Sequence, residues 1–203
     1  MKYILLALLL IGCSETKPRG PDVAYTPVEY TNPDPDTAVI LAIGQSNMQN
    51  AMLNHLVDML DYENIEYVNV AEADSRIQEW SPEGDLFQRI EDVADKDFTH
   101  ILVHQGESDA GNKNYVNEFL VMLNGIRDLG INAPVYLAQT SWLNNKTDSV
   151  VIAQQGELIQ RFEDIKQGPY TDVLGSEYRF DGTHFNEKGL KAHAQLWSER
   201  IDK

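Results

Sequence analysis

The sequence holds a single cysteine, Cys13, so no disulfide can close within the chain and no cysteine-based metal site can form. Cationic side chains are scarce. Sixteen Lys and Arg stand against 32 Asp and Glu, a formal net charge of −16. That deficit argues against nucleic acid, whose phosphates demand Lys and Arg, and against adsorption to an anionic lipid surface. No hydrophobic run is long enough to span a bilayer as a helix, and the stretch from Tyr3 to Ile11 falls well short. Internal repeats are missing too. His104, Glu107, Asp109, Asp181 and His184 could in principle gather round a divalent ion. None of them has the spacing of a known ligand motif, and a metal centre would leave the serine discussed below without a role. No metal and no cofactor are expected.

What is present reads as one domain of ordinary size behind a short leader. The chain has 203 residues, 42% hydrophobic and 24% charged, the composition of a globular protein with a sizeable core. "MKYILLALLLIGC" has the charged start and short apolar centre of a secretory signal. Its ending, Leu10-Ile11-Gly12-Cys13, resembles a bacterial lipobox. That resemblance implies cleavage after residue 12 and lipid attachment to Cys13. The protein is then expected to be exported and to touch a membrane only through that anchor, facing periplasm or exterior. Residues 13–36 carry five of the eight prolines and read as an extended tether. The domain proper is expected over residues 37–203.

From Thr37 the pattern alternates. "TAVILAIG" (37–44), "IEYVNVA" (65–71), "HILVHQG" (100–106) and "PVYLAQTS" (134–141) read as strands, with a fifth near Asp172 to Leu174. Between them lie apolar residues at helical spacing: Met48 to Leu60, Leu86 to Val93, Tyr115 to Ile126 and Val151 to Ile165. A last helix carries Leu190, Ala194, Trp197 and Ile201. Strands alternating with helices predict an α/β fold, a mostly parallel sheet covered on both faces. Ligands bind such sheets beyond the carboxyl ends of the strands. The unusual polar clusters all fall there: Ser46 after the first strand, "EADSRIQEW" after the second, "HQGESD" after the third and "FDGTHF" after the last.

Ser46 stands at a strand-to-helix corner, where a turn alone would be served as well by Asn, Asp or Gly. A serine nucleophile needs a base, and the base an orienting group. His184 is the natural base, and Asp181, three residues earlier, can reach its Nδ1–H within a turn. An oxyanion needs hydrogen-bond donors. The Ser46 N–H at a helix start is one candidate. Asp74 or Ser75 offers a second, and Gly106 N–H or the Gln105 or Ser108 side chain a third. Gly106 would let the backbone approach a substrate closely. Gln45, Asn47, Glu107 and Trp80 are further candidates for substrate contact, with Trp80 or Trp142 as a stacking wall. Gln154 and Gln155 read as helix surface, and His55, His100 and His193 receive no role.

"GQSNM" (44–48), "QGESD" (105–109) and "DGTH" (181–184), in this order on an alternating chain, resemble the SGNH hydrolase superfamily. More narrowly they resemble the sialic acid-specific acetylesterase domain related to carbohydrate esterase family six, and "SRIQEW" (75–80) is similar to its second block. The resemblance spans residues 37 to 202. It implies a flavodoxin-like three-layer α/β/α sandwich with a five-stranded sheet, and a Ser46–His184–Asp181 triad without a cofactor. The implied activity is removal of O-acetyl groups from carbohydrates through an acyl-enzyme. The sequence departs from the family in the second block, where Ala73 and Asp74 stand in place of glycines. Two rival readings are a glycan-binding lipoprotein with no catalysis and an esterase for longer acyl chains. The small polar rim loops favour acetyl over the latter.

Overall fold

The computed structural model describes residues 19–50 and 52–201. The leader and Cys13 lie outside these residues. Five strands form one sheet in the order β2-β1-β3-β4-β5, every neighbouring pair parallel. They are β1 (Thr37–Gly44), β2 (Asn64–Asn69), β3 (His100–His104), β4 (Val135–Gln139) and β5 (Ile165–Tyr170). The helices are α1 (Ser46–Gln49), α2 (Met52–Val57), α3 (Gln88–Glu91), α4 (Tyr115–Asp128), α5 (Ser149–Arg161) and α6 (Glu187–Ser198).

β1 and β3 are covered on both faces, which is why they read as unbroken apolar runs. Side chains alternate across a strand, so β1 feeds two cores. Leu41 and Ile43 join a core with Phe119, Leu123 and Leu158 from α4 and α5. Ile40 and Ala42 join another with Met52, Leu56 and Trp197 from α2 and α6. The result is a three-layer α/β/α sandwich.

Four sequence expectations change. The fifth strand is Ile165–Tyr170, and residues 171–173 form only a tight turn. Phe162 and Ile165 sit at helical spacing behind α5, yet the helix stops at Arg161 and Ile165 is already in the sheet. The helix expected after Ser46 is interrupted: α1 is a single turn and α2 starts anew at Met52. Residues 19–36 are the fourth. From Arg19 the chain is a strap bound to the domain rather than a free spacer. Arg19 Nη1 pairs with Glu157 at 2.9 Å, and Asn117 Oδ1 accepts from Val23 N at 3.1 Å. Tyr25 packs edge-on against Phe162 and hydrogen-bonds Asp164 Oδ2, the oxygen that Arg127 also holds at 3.0 Å. Val23 and Tyr25 thereby extend the α4–α5 core.

Candidate active site

Gly44 creates the corner. Its φ is 146°, and a Cβ there would lie 2.0 Å from the His104 carbonyl oxygen, so only glycine lets β1 and β3 end side by side. Gln45 N–H bonds that same oxygen at 3.2 Å, and the chain turns into Ser46. In the single turn of α1, the N–H groups of Met48 and Gln49 go to Gln45 O. Those of Ser46 and Asn47 find no acceptor among the described residues, as expected at a helix start.

His184 and Asp181 form a pair on the loop before α6. His184 Nδ1 lies 2.6 Å from Asp181 Oδ2. Asp181 Oδ1 accepts from Thr183 N at 2.9 Å and from His184 N at 2.8 Å. Its slight burial works against ionisation, but the bonds from His184 and the two backbone amides outweigh it and hold the carboxyl down at about 2. The other imidazole nitrogen of His184, Nε2, has no hydrogen-bond partner among the described residues. Phe180 stacks on the His184 ring, with centroids 5.7 Å apart and planes at 20°, and is 70% exposed.

Asn47 joins this loop to the corner. Its Nδ2 donates to Thr183 O at 3.3 Å, and its Oδ1 accepts from Phe185 N at 3.2 Å. The residue after Ser46 therefore grips the residues on both sides of His184. Further contacts hold the loop from behind. Trp142 Nε1 donates to Gly182 O at 2.9 Å, and Asn145 N donates to the same oxygen at 2.9 Å. The buried Arg179 bonds Thr183 O and lies over the Phe185 ring at 4.3 Å.

The blocks after β2 and β3 meet the corner as well. Gln45 Oε1 accepts from Ser108 N at 3.1 Å and from Gln105 Nε2 at 3.3 Å. Gln105 Nε2 also donates to Ser75 O at 2.7 Å and Asp109 Oδ2 at 2.9 Å. Asp109 in turn accepts from Ile77 N at 3.2 Å. Burial pushes the Asp109 carboxyl up to about 6, against these bonds. All four polar clusters thus share one rim, and a polar cavity of about 270 Å³ opens there between Arg76, Gln78, Ser108 and Glu118. Larger cavities of about 520 and 580 Å³ lie at the amino ends of the strands, along the strap.

Several candidates have duties other than those expected. Gln105 is wholly buried and its amide hydrogens serve Ser75 and Asp109, so it is no free oxyanion donor. A Cβ on Gly106 would meet Thr140 O at 2.2 Å; its missing side chain makes room for the end of β4, not for substrate. Asn47 and Glu107 are completely buried and bond each other at 2.9 Å, as clamp components rather than substrate contacts. Gln45 is nearly as enclosed. Trp80 is a core residue whose Nε1 donates to Ser75 Oγ at 3.2 Å, and Trp142 supports the loop at Gly182. Ser75 N closes a turn onto Glu72 O at 3.4 Å. Asp74 is exposed and left-handed at φ 60°, and its N–H meets no acceptor among the described residues.

Sequence reasoning also missed three residues. Gln155 is buried, not on the helix surface. Its amide bonds Thr140 N at 2.8 Å, Thr140 O at 3.0 Å and Gln105 O at 2.9 Å, tying the ends of β3 and β4. His193 is buried beside His104. Phe180, an aromatic immediately before the Asp-Gly turn, was the available sign of an exposed ring at the site. No group of three or more His, Cys, Asp or Glu that could hold a metal ion occurs among the described residues.

Solved structures share this architecture. A protein from Arabidopsis thaliana superposes with a TM-score of 0.59 at 14% identity, over 82% of this chain and 97% of that one. A candidate SGNH hydrolase from Slackia heliotrinireducens gives 0.57 at 16%, over 82% and 100%. A two-domain esterase active on acetylated mannans gives 0.58 at 13%; the match covers 80% of this chain but only 48% of that one. No curated protein matches by sequence. The profile of one family does match, over residues 50–202, a stretch that begins just past Ser46 and includes Asp181 and His184. The chain therefore belongs to the carbohydrate esterase, sialic acid-specific acetylesterase family, hydrolases on the SGNH fold.

Proposed function

We propose that the protein is a serine esterase that removes O-acetyl groups from a carbohydrate. The observation that carries this reading is the Asn47 clamp, which ties the Asp181–His184 pair to the residue beside Ser46. Ser46 Oγ attacks the acetyl carbonyl, and His184 Nε2 takes its proton and passes it to the departing sugar alkoxide. Asp181 fixes the imidazole with its proton on Nδ1 and stabilises the imidazolium as it forms. Water, deprotonated by His184, then releases acetate from Ser46. The oxyanion is met by Ser46 N–H, with Asp74 N–H as the second donor because it is otherwise uncommitted. The exposed Asp74 carboxylate stays in solvent, away from the developing charge. Bonds between nucleophile and base in unliganded enzymes are commonly long and close only with substrate.

Acetyl suits the small polar loops of the rim better than a long acyl chain. The family and the mannan-active neighbour support a sugar as the alcohol part. Export and a lipid on Cys13 belong to the same reading, since a secreted glycan is the natural target of an anchored esterase; a lipid-sized mass increment on Cys13 would show it.

The deciding experiment is acetate release from p-nitrophenyl acetate and from acetylated polysaccharides, with and without EDTA. Activity that survives EDTA, disappears in Ser46→Ala and leaves a covalent adduct on Ser46 by mass spectrometry is expected. Full activity in Ser46→Ala sinks the proposal, and binding of glycans with no turnover would make the protein a lectin-like module on a hydrolase fold.

A further inference from the structure

Behind Ser46, a chain of buried polar side chains runs from α6 to α1. Trp197 Nε1 donates to His193 Nε2 at 2.9 Å. His104 Nδ1 lies 3.0 Å from that same nitrogen. On its other side, His104 Nε2 lies 2.8 Å from Glu107 Oε1, which also accepts from Asn47 Nδ2 at 2.9 Å. All five side chains are fully buried.

The proton positions follow from donor chemistry. An indole N–H only donates, so His193 Nε2 is an acceptor without a proton. His104 Nδ1 faces that lone pair and must carry a hydrogen. His104 Nε2 then faces Glu107 Oε1, with Thr140 Oγ1 also 3.2 Å away. Burial pushes the Glu107 carboxyl up, but the His104 charge and the bonds from His104 and Asn47 outweigh it and leave it below its ordinary value. Burial, with His104 and Arg179 nearby, holds His193 far below the usual imidazole range. Glu107 Oε1 is therefore the acceptor on which His104 Nε2 and the Asn47 amide converge.

Such a pair is a costly way to fill a core, since apolar side chains of similar size serve stability as well. Here Glu107 Oε2 and His193 Nδ1 are also buried with no hydrogen-bond partner among the described residues. The expense is local to one output. Asn47 spends one amide hydrogen on Glu107 and the other on Thr183 O, while its Oδ1 holds Phe185 N. An Asn amide can flip, and its orientation is set by its partners. Flipped, it would set oxygen against Thr183 O and N–H against Phe185 N–H. The carboxylate forbids that.

We propose that Glu107 is a positioning residue: bonded to His104 on one side, it fixes on the other the Asn47 carboxamide that grips both sides of His184, and so sets the reach of the imidazole to Ser46. This rests on the serine-esterase reading. The other charged or titratable groups facing Glu107 are Tyr115 of α4 and Asp172 and Arg179 from the loops after β5.

The test uses the full chain with Glu107→Leu, which removes acceptor and charge, and Glu107→Gln, which keeps an acceptor. With p-nitrophenyl acetate, the Leu variant should lose about 100-fold in kcat with KM within about twofold, and Gln should recover roughly tenfold of that loss. Amide hydrogen exchange at Phe185 should quicken in the Leu variant. At Asn145, whose N–H holds Gly182 O, it should stay slow. A folded Leu variant with wild-type kcat, or with Phe185 still protected, overturns the proposal, as does a Gln variant no better than Leu. If Glu107→Leu does not fold, Asn47→Ala must show the same kcat loss and Phe185 exposure, and wild-type turnover there is equally fatal. A wild type inactive on every ester defeats the esterase reading alone, and Phe185 exchange still decides the clamp.

Discussion

Ser46 and Asn47 are chain neighbours with different surroundings: Ser46 is only slightly exposed at the corner, and Asn47 is sealed in the core, where it bonds Glu107 and the two sides of His184. In sequence, both look like polar residues of one corner. Ser46, His184 and Asp181 could be picked out as candidates because nucleophile, base and orienter are sought by residue type and by the Asp-to-His spacing of three, and of these the Asp181–His184 contact is formed. The duties of Asn47, Gln105 and Glu107 were not legible, because burial decides them and burial depends on partners far along the chain. Two outcomes are expected at this scale. His184→Ala should cut kcat about a million-fold and Asp181→Ala about ten-thousand-fold or less, since the partner orients a base that acts directly. Equal losses in a steady-state assay would contradict that division. Phe180, exposed and parallel to the His184 ring, offers a face for a sugar ring. Phe180→Ala should raise KM for an acetylated oligosaccharide about fivefold while p-nitrophenyl acetate kinetics stay put; a matching change with both esters would mean the ring serves His184 instead.

At the scale of elements, the strand ends are where the sequence spoke most clearly and where one substitution tells most. β1, β3 and β4 were readable as apolar runs because both of their faces are buried. β5 was not: its sequence, "IKQGPY", alternates only weakly, and Ile165 continues the spacing of α5, so a helical period masked a strand. Gly44 was visible as the end of a run, and its reason is steric. Gly44→Ala puts a Cβ 2.0 Å from the His104 carbonyl oxygen in a left-handed region that side chains avoid. A loss of about 3 kcal/mol or more in urea unfolding is expected, and a loss under about 1 kcal/mol would mean that β1 and β3 part easily. Asp109 supplies the pH-sensitive element of the same rim. Its folded pKa, about 6, lies above the unfolded value of about 3.9, so the folded state keeps the proton longer. Stability from this group is greatest below pH ~4, declines as pH rises to ~6, and is flat above, a change of about 3 kcal/mol. Between pH 4 and 7, wild type should lose about 2 kcal/mol of this relative to Asp109→Asn. Parallel profiles would show that the carboxyl titrates normally.

At the scale of the molecule, proline content misled the boundary of the domain. Five prolines in residues 18–35 read as a spacer, because proline and the lack of apolar period exclude helix and interior strand. Neither excludes an extended segment that binds through its own backbone and a few side chains. From Arg19 the chain does so: Asn117 and Asn124 bond its backbone at Val23 and Ala24, and Tyr25 reaches the buried Arg127–Asp164 pair. Arg127 also donates to Ile131 O at 2.7 Å and Ala133 O at 2.9 Å, so the strap is joined to the connection that leads into β4. A chain beginning at residue 37 exposes the Val23 and Tyr25 contacts of the α4–α5 core and strips a partner from Asp164. A chain beginning at residue 19 keeps both. The shorter one should melt roughly 10 °C lower, on a loss of about 3 kcal/mol, while Gly44, Ser46 and the α1 corner stay as they are because no strap contact reaches them. Esterase activity at low temperature should therefore persist in the shorter chain and fail early on heating. Equal melting temperatures for the two chains would return residues 19–36 to the role of a spacer.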